Sequence, residues 1–120
     1  MIVASATQEL FVVDAYLDAE LFDVYMEKVN PSVSIRVLTN KFSASLQAVA
    51  QKFATGRKFE LRSSSDIHDR VVFADSRSWV IGQSIKDAAK KKPTYIIEFP
   101  DFAMLKGMHE PIWAAATAIV

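Results

Sequence analysis

The first half of the chain alternates short apolar runs with amphipathic segments, and this order constrains the fold more than any other feature. Residues 10–13 form an apolar run of the kind found in strands covered on both faces. Residues 18–29 carry apolar side chains at helical spacing, and residues 32–39 alternate as a second strand. A second amphipathic stretch follows, with Ser43 as its predicted N-cap and Gly56 after its end. This order predicts a parallel or mixed sheet with helices packed on it.

The second half predicts further strands and a C-terminal helix. The predicted strands are residues 58–62, 69–74, 79–81 and 95–99. A short helix or turn is predicted at residues 85–92. The last helix is expected to begin near Asp101 and to be broken in two by Gly107 and Pro111. The apolar tail at residues 112–120 is too short to span a membrane, so a buried or interface helix is expected there.

Length and composition fit one globular domain over residues 1–120. Hydrophobic residues make up 51% of the chain and charged residues 23%, which is an ordinary globular balance. The formal net charge is zero, so the total charge does not indicate nucleic-acid or membrane-surface binding. The absence of cysteine is compatible with a cytoplasmic location.

The charges are unevenly distributed. Residues 57–92 contain nine Lys or Arg against five Asp or Glu, so this third of the chain is locally basic. A solvated surface and a site that attracts phosphate both explain such a segment.

His68 stands in the most informative local pattern, whereas His109 is expected to be structural or at the surface. The sequence places Arg70 two residues after His68, Asp75 five residues after Arg70, and Gly82 seven residues after Asp75. This spacing resembles the His-x-Lys-x4-Asp-x6-Gly-Ser-x-Asn motif of the phospholipase D superfamily. The order of predicted strands and helices before the histidine is also similar to that family.

The residues after Gly82 extend the resemblance. Ser84, Lys86 and Asp87, followed by a lysine cluster, are similar to a bacterial His-Asp-Arg subgroup. They are similar also to the domain that follows microtubule-interacting and transport modules in some eukaryotic proteins. The resemblance covers about residues 8–99 and implies a phospholipase D-like α/β fold, with a mixed central sheet flanked by helices.

The resemblance also implies a chemistry that needs neither metal nor cofactor. His68 would attack the phosphorus of a phosphodiester and form a phospho-histidine, while Arg70 neutralises a phosphoryl oxygen. Asp75 would orient the imidazole, and Ser84 and Lys86 would add phosphate contacts. Because the mechanism uses two imidazoles and the chain has one motif, a homodimer with two copies of His68 across a twofold axis is expected.

Three departures from the family pattern leave alternatives open. Arg70 replaces the family's lysine, Ile85 replaces its asparagine, and the serine is displaced by one position to Ser84. The leading interpretation is a nuclease-like phosphodiesterase. The alternative is a non-catalytic phospholipase D-like module, within or beside a larger protein, that binds nucleic acid or phospholipid or mediates protein interaction. A third is an unrelated α/β domain.

Overall fold

One mixed sheet with helices on both faces organises the structure. The computed structural model describes residues 2–68, 70–81 and 96–120, with the backbone alone at residues 20 and 21. The strands are β1 (Glu9–Asp14), β2 (Ser34–Thr39), β3 (Phe59–Ser63), β4 (Arg70–Ala74), β5 (Arg77–Ile81), β6 (Ile96–Phe99) and β7 (Thr117–Ala118). The helices are α1 (Ala19–Met26), α2 (Ala44–Phe53) and α3 (Phe102–Ala115), with a 3-10 turn at Val3–Ser5.

The strand order is β6-β5-β4-β1-β2-β3-β7, which places β1 at the centre of the sheet. Val12 of β1 pairs with Val37 of β2 in the parallel direction and with Val72 of β4 in the antiparallel direction. Strands β2 and β3 are also parallel, whereas β5, β6 and β7 each pair antiparallel with their neighbours. The predicted mixed sheet flanked by helices is therefore confirmed.

The apolar run of β1 divides its side chains between two cores because successive strand residues point to opposite faces. Leu10 and Val12 belong to the core beneath α1 and α2. Phe11 and Val13 belong to the second core, which α3 covers. This two-sided burial is why the run is continuously apolar. It also holds the residues at the two ends of β1, Glu9 and Asp14, in fixed positions.

Ser43 caps α2 as predicted. Its hydroxyl oxygen accepts a hydrogen bond from the backbone N–H of Leu46 at 3.0 Å, which satisfies one of the free donors in the first turn. Gly56 follows the helix with a φ of 76°, a conformation that costs glycine little.

The predicted break in the C-terminal helix is wrong, because α3 is continuous through Gly107 and Pro111. Both residues lie on the exposed side of α3. The carbonyl that Pro111 leaves unpaired can therefore be hydrated. Leu105, His109 and Trp113 hold the other side of the helix in the core.

The predicted helical tail is also only partly right. The helix ends at Ala115, and the chain then forms β7, in which Thr117 pairs with Ser63 at the outer side of β3. The helix or turn predicted at residues 85–92 lies outside the described residues. In the part of the chain that the structure describes, no helix is long and apolar enough to cross a membrane.

Candidate anion-binding site

The order of the strands reverses direction between β1 and β4. From β1 the chain builds the sheet outwards through β2 and β3, and it then returns to the other side of β1 with β4. In open α/β sheets, ligands bind at such a point, in the crevice beyond the carboxyl ends of the strands. Here the corresponding position is the edge at which Asp14, the last residue of β1, and Arg70, the first residue of β4, pair in register, and it is called the crevice between β1 and β4 below.

Among the described residues, Arg70 is held in this crevice by charge attraction and ring contact, without a hydrogen bond from its Nε. Its Nε lies 3.9 Å from Oδ1 of the buried Asp14, and its Cζ lies 5.8 Å from the centre of the exposed Tyr16 ring. The same Oδ1 accepts the backbone N–H of Tyr16 at 3.0 Å. The Nε of Arg70 is buried and has no hydrogen-bond partner among the described residues. Because an unsatisfied buried donor costs about 1–3 kcal/mol, an acceptor from a ligand would stabilise this arrangement.

His68 is exposed at the same edge of the sheet. The preceding residue, Ile67, is buried in the core under α3. The backbone N–H of Ser64 donates to the carbonyl of Thr39 at 2.9 Å, which ties this loop to the carboxyl end of β2. The loop therefore presents the imidazole of His68 to solvent immediately before β4 begins.

Lys41 adds a second cation to this edge. Its backbone N–H donates to the carbonyl of Ala15, one residue after the end of β1, at 3.2 Å. The hydroxyl of Thr39 donates to the carbonyl of Lys41 at 3.2 Å. Because the backbone of Lys41 is fixed beside β1 while its side chain is exposed, this lysine can contribute charge near the crevice.

Asp75 lies at the opposite end of β4 from His68, separated by a strand of roughly 16 Å at about 3.3 Å per residue. Its carboxylate accepts hydrogen bonds from the backbone N–H groups of Thr7 at 3.0 Å, Gln8 at 2.8 Å and Glu9 at 3.0 Å. These bonds lower the pKa of Asp75 to about 2. The structure therefore gives Asp75 a structural role in ordering the segment before β1, and it does not bring this carboxylate to His68.

Of the residues predicted to form the site, the structure places His68 and Arg70 at one edge. The other predicted phosphate contacts, Ser84 and Lys86, lie outside the described residues. The sequence interpretation did not include Asp14, Tyr16 or Lys41 among the site residues. The available signal was the apolar run of β1 ending in an aspartate, since the carboxyl ends of strands are where α/β sheets bind ligands.

A separate cleft of about 440 Å³ lies at the amino-terminal edge of the parallel strands. Its lining includes Arg36, Lys106 and Glu9. These charges are already paired, because Lys106 lies 3.7 Å from Glu9 and Arg36 makes a bidentate pair with Glu110 at 2.6 and 2.8 Å. Arg57 also lines this cleft, and its buried Nε likewise has no hydrogen-bond partner among the described residues, but its Nη2 already donates to the carbonyls of Val29 and Asn30 at 3.2 and 3.0 Å. The crevice at Arg70 is the better candidate for an anion because the exposed His68 and Lys41 lie at the same edge of the sheet.

The described fold is an α/β sandwich with a central mixed sheet, and comparison with known proteins places it beside a solved structure. No protein-family model and no curated protein sequence matches the chain. The structure is similar to that of TrmBL2, described as an archaeal chromatin protein that shows a novel mode of DNA binding. The TM-score is 0.67 at 17% identity, over 98% of this chain and 47% of that chain, so this chain spans about half of TrmBL2.

This comparison corrects the predicted phosphodiesterase activity. The similar structure belongs to a protein described by its DNA binding, which points away from a hydrolytic enzyme. The geometry agrees with the correction, since the carboxylate expected to orient His68 is engaged with Thr7, Gln8 and Glu9 at the other end of β4.

Proposed function

We propose that this chain is a non-catalytic phospholipase D-like module that binds the phosphate backbone of a nucleic acid at the crevice between β1 and β4. Arg70 is the residue that contacts phosphate, with His68 and Lys41 beside it. The module holds its ligand without cleaving it.

The unsatisfied Nε of Arg70 is the observation that carries the proposal. A guanidinium matches phosphate because its planar N–H groups donate to two oxygens at once. Burial of the Nε beside β1 fixes the position of this fork, so less side-chain entropy is lost when phosphate binds. The nearby Asp14 sets the orientation of Arg70 without accepting a hydrogen bond from its Nε.

The class of ligand is supported by the similar structure. TrmBL2 is described by its DNA binding, and about half of that chain resembles nearly all of this one. Nucleic-acid backbones are recognised largely through arginine and lysine contacts to phosphate, without sequence information. Arg70 and Lys41 lie at one edge of the sheet, as a contact to successive phosphates requires.

A competition assay tests the ligand class. Fluorescein-labelled 20-base-pair DNA is titrated with the protein at low salt, and anisotropy reports binding. Unlabelled duplex DNA, single-stranded DNA and vesicles containing phosphatidic acid then compete. We expect both DNAs to displace the probe and the vesicles to fail. Displacement by the vesicles at a lower phosphate concentration than by either DNA would move the ligand to phospholipid, and absence of any DNA binding would contradict the proposal.

Matched variants locate the contact. Arg70→Ala should weaken DNA binding about tenfold or more, as expected from loss of a charge-assisted hydrogen bond worth about 1.5–3 kcal/mol. The DNA affinity of Arg70→Lys should lie between those of wild type and Arg70→Ala, since lysine keeps the charge and loses the planar guanidinium. Lys58→Ala, at the amino-terminal edge, removes the same charge from an exposed position and should change binding less than twofold. Equal losses from Arg70→Ala and Lys58→Ala would contradict a localised site.

A further inference from the structure

The solvent-facing side of α3 carries no charged side chain. The exposed residues of this helix are Ala103, Met104, Gly107, Met108, Pro111, Ala114 and Ala115. Met104 is 51% exposed and Met108 is 58% exposed, one turn apart on the same side of the helix. A surface helix normally presents polar residues to water. This apolar face of α3 is therefore a surface that a partner would cover.

The charged residues of α3 do not lie on this apolar face, because they pair with charged residues of the sheet beneath the helix. Lys106 lies 3.7 Å from Glu9, and Glu110 accepts a bidentate pair from Arg36. Both Lys106 and Glu110 are half-buried on one flank of the helix, between the apolar face and the core. They mark one rim of the apolar face of α3.

Gly107 gives a second indication of a partner. Glycine within a helix costs roughly 0.5–1 kcal/mol relative to alanine. A Cβ added at Gly107 would meet no described atom within 4 Å, and its φ is not in the left-handed region. Packing within the described chain therefore does not explain this glycine. A flat position at the centre of the apolar face lets another helix approach closely.

We infer that the apolar face of α3 pairs with the same face of a second copy of this chain, with the two helices antiparallel. An uncharged face is complementary to itself. In the register centred on Met108, residue 104 of one copy lies opposite residue 112 of the other. The same register sets Lys106 opposite Glu110 of the second copy, so the rim charges are complementary. This dimer is independent of the proposed nucleic-acid function and differs from the predicted one with its axis at His68.

The expected association is weak. A helix of 14 residues is about 21 Å long, so this face alone supplies less than the roughly 800 Å² per partner of a standard interface. We therefore expect a dissociation constant on the order of 10 µM, at the weak end of specific interfaces. Sedimentation velocity from 5 to 300 µM covers that range and should show a reversible monomer–dimer equilibrium.

Charged variants test the face and its symmetry. Met108→Glu should weaken dimerisation at least tenfold, whereas Val24→Glu, at a 47% exposed apolar position on α1, should leave it unchanged. Met108→Glu and Met108→Lys, each folded by circular dichroism, should be monomers alone and should form a dimer when mixed. A wild-type monomer at 300 µM, a dimer unaffected by Met108→Glu, or a mixture that stays monomeric would each overturn the inference.

Discussion

The Nε of Arg70 lies 3.9 Å from a carboxylate oxygen of Asp14, near enough for attraction and too far for a hydrogen bond. This relationship follows from the pairing of β1 with β4, which puts the last residue of one strand opposite the first residue of the other. It leaves a buried donor at the crevice unsatisfied among the described residues. The proposed binding of phosphate rests on that donor.

Asp75→Asn should destabilise the protein by about 1–2 kcal/mol at pH 7, since a partly exposed carboxylate loses charge-assisted bonds from three backbone N–H groups. Asparagine is the appropriate replacement because the φ of Asp75 is 54°, which asparagine tolerates. Urea denaturation measures the change. Asp66→Asn, at an exposed loop position, is the matched control and should have little effect.

The Asp75 contribution should also depend on pH. The folded pKa of about 2 lies below the ordinary value of 3.8, so the stabilisation is present above pH 4 and is lost as the pH falls towards 2. The difference in stability between wild type and Asp75→Asn should therefore shrink across this window. A difference that stays constant from pH 6 to pH 2 would contradict the role of these hydrogen bonds.

Glu110→Gln should loosen the attachment of α3 to the sheet. The Arg36 guanidinium, 4.3 Å from the centre of the Phe11 ring, holds the pKa of Glu110 below its ordinary value. Loss of this half-exposed Arg36–Glu110 ion pair should lower the free energy of unfolding by about 1 kcal/mol. The wild-type contribution should be present at neutral pH and decline as the pH falls below the ordinary pKa of 4.5. Thermal unfolding of wild type and Glu110→Gln at pH 7 and pH 3 measures this contribution. A stability difference between the two proteins that is equal at both pH values would contradict a stabilising Arg36–Glu110 pair.

Ser43→Ala should lower stability by about 1 kcal/mol, because the N–H of Leu46 loses its side-chain acceptor at the start of α2. Ser45→Ala, two residues later on the exposed first turn, should be neutral or slightly stabilising, since alanine favours helix. Urea denaturation of both variants checks the assignment. Equal effects at the two positions would mean that Ser43 is not the cap.

The strands and helices of the first half and the mixed character of the sheet could be predicted from the sequence because their signals are local. The apolar run of β1, the stripe of α1 and the cap at Ser43 each reflect one element and its nearest neighbours. The edge strand β7 could not be predicted, since two residues carry no periodicity and their pairing with β3 is a long-range contact. The continuity of α3 through Pro111 likewise depends on which side of the helix faces water.

The candidate site was predictable only in part, and the reason is geometric. Motif spacing selected Arg70 and His68, which do lie at one edge, but it also selected Asp75, although the strand predicted at residues 69–74 already separates that residue from His68. Asp75 comes after β4 and not before it, so its carboxylate serves the segment of Thr7 and Gln8 instead. Asp14 could not be assigned to the site from the sequence, because its position beside Arg70 depends on the pairing of β1 with β4.

An NMR titration with unlabelled duplex DNA tests the central claim most directly, because it reports where on the fold the ligand binds. Amide shifts of the ¹⁵N-labelled protein should change at the carboxyl edge, around residues 14–16, 39–41 and 64–70, and should saturate together. In Arg70→Ala the same shifts should require about tenfold more DNA. Shift changes centred on residues 9 and 58–60 at the opposite edge, or none at all, would contradict the account.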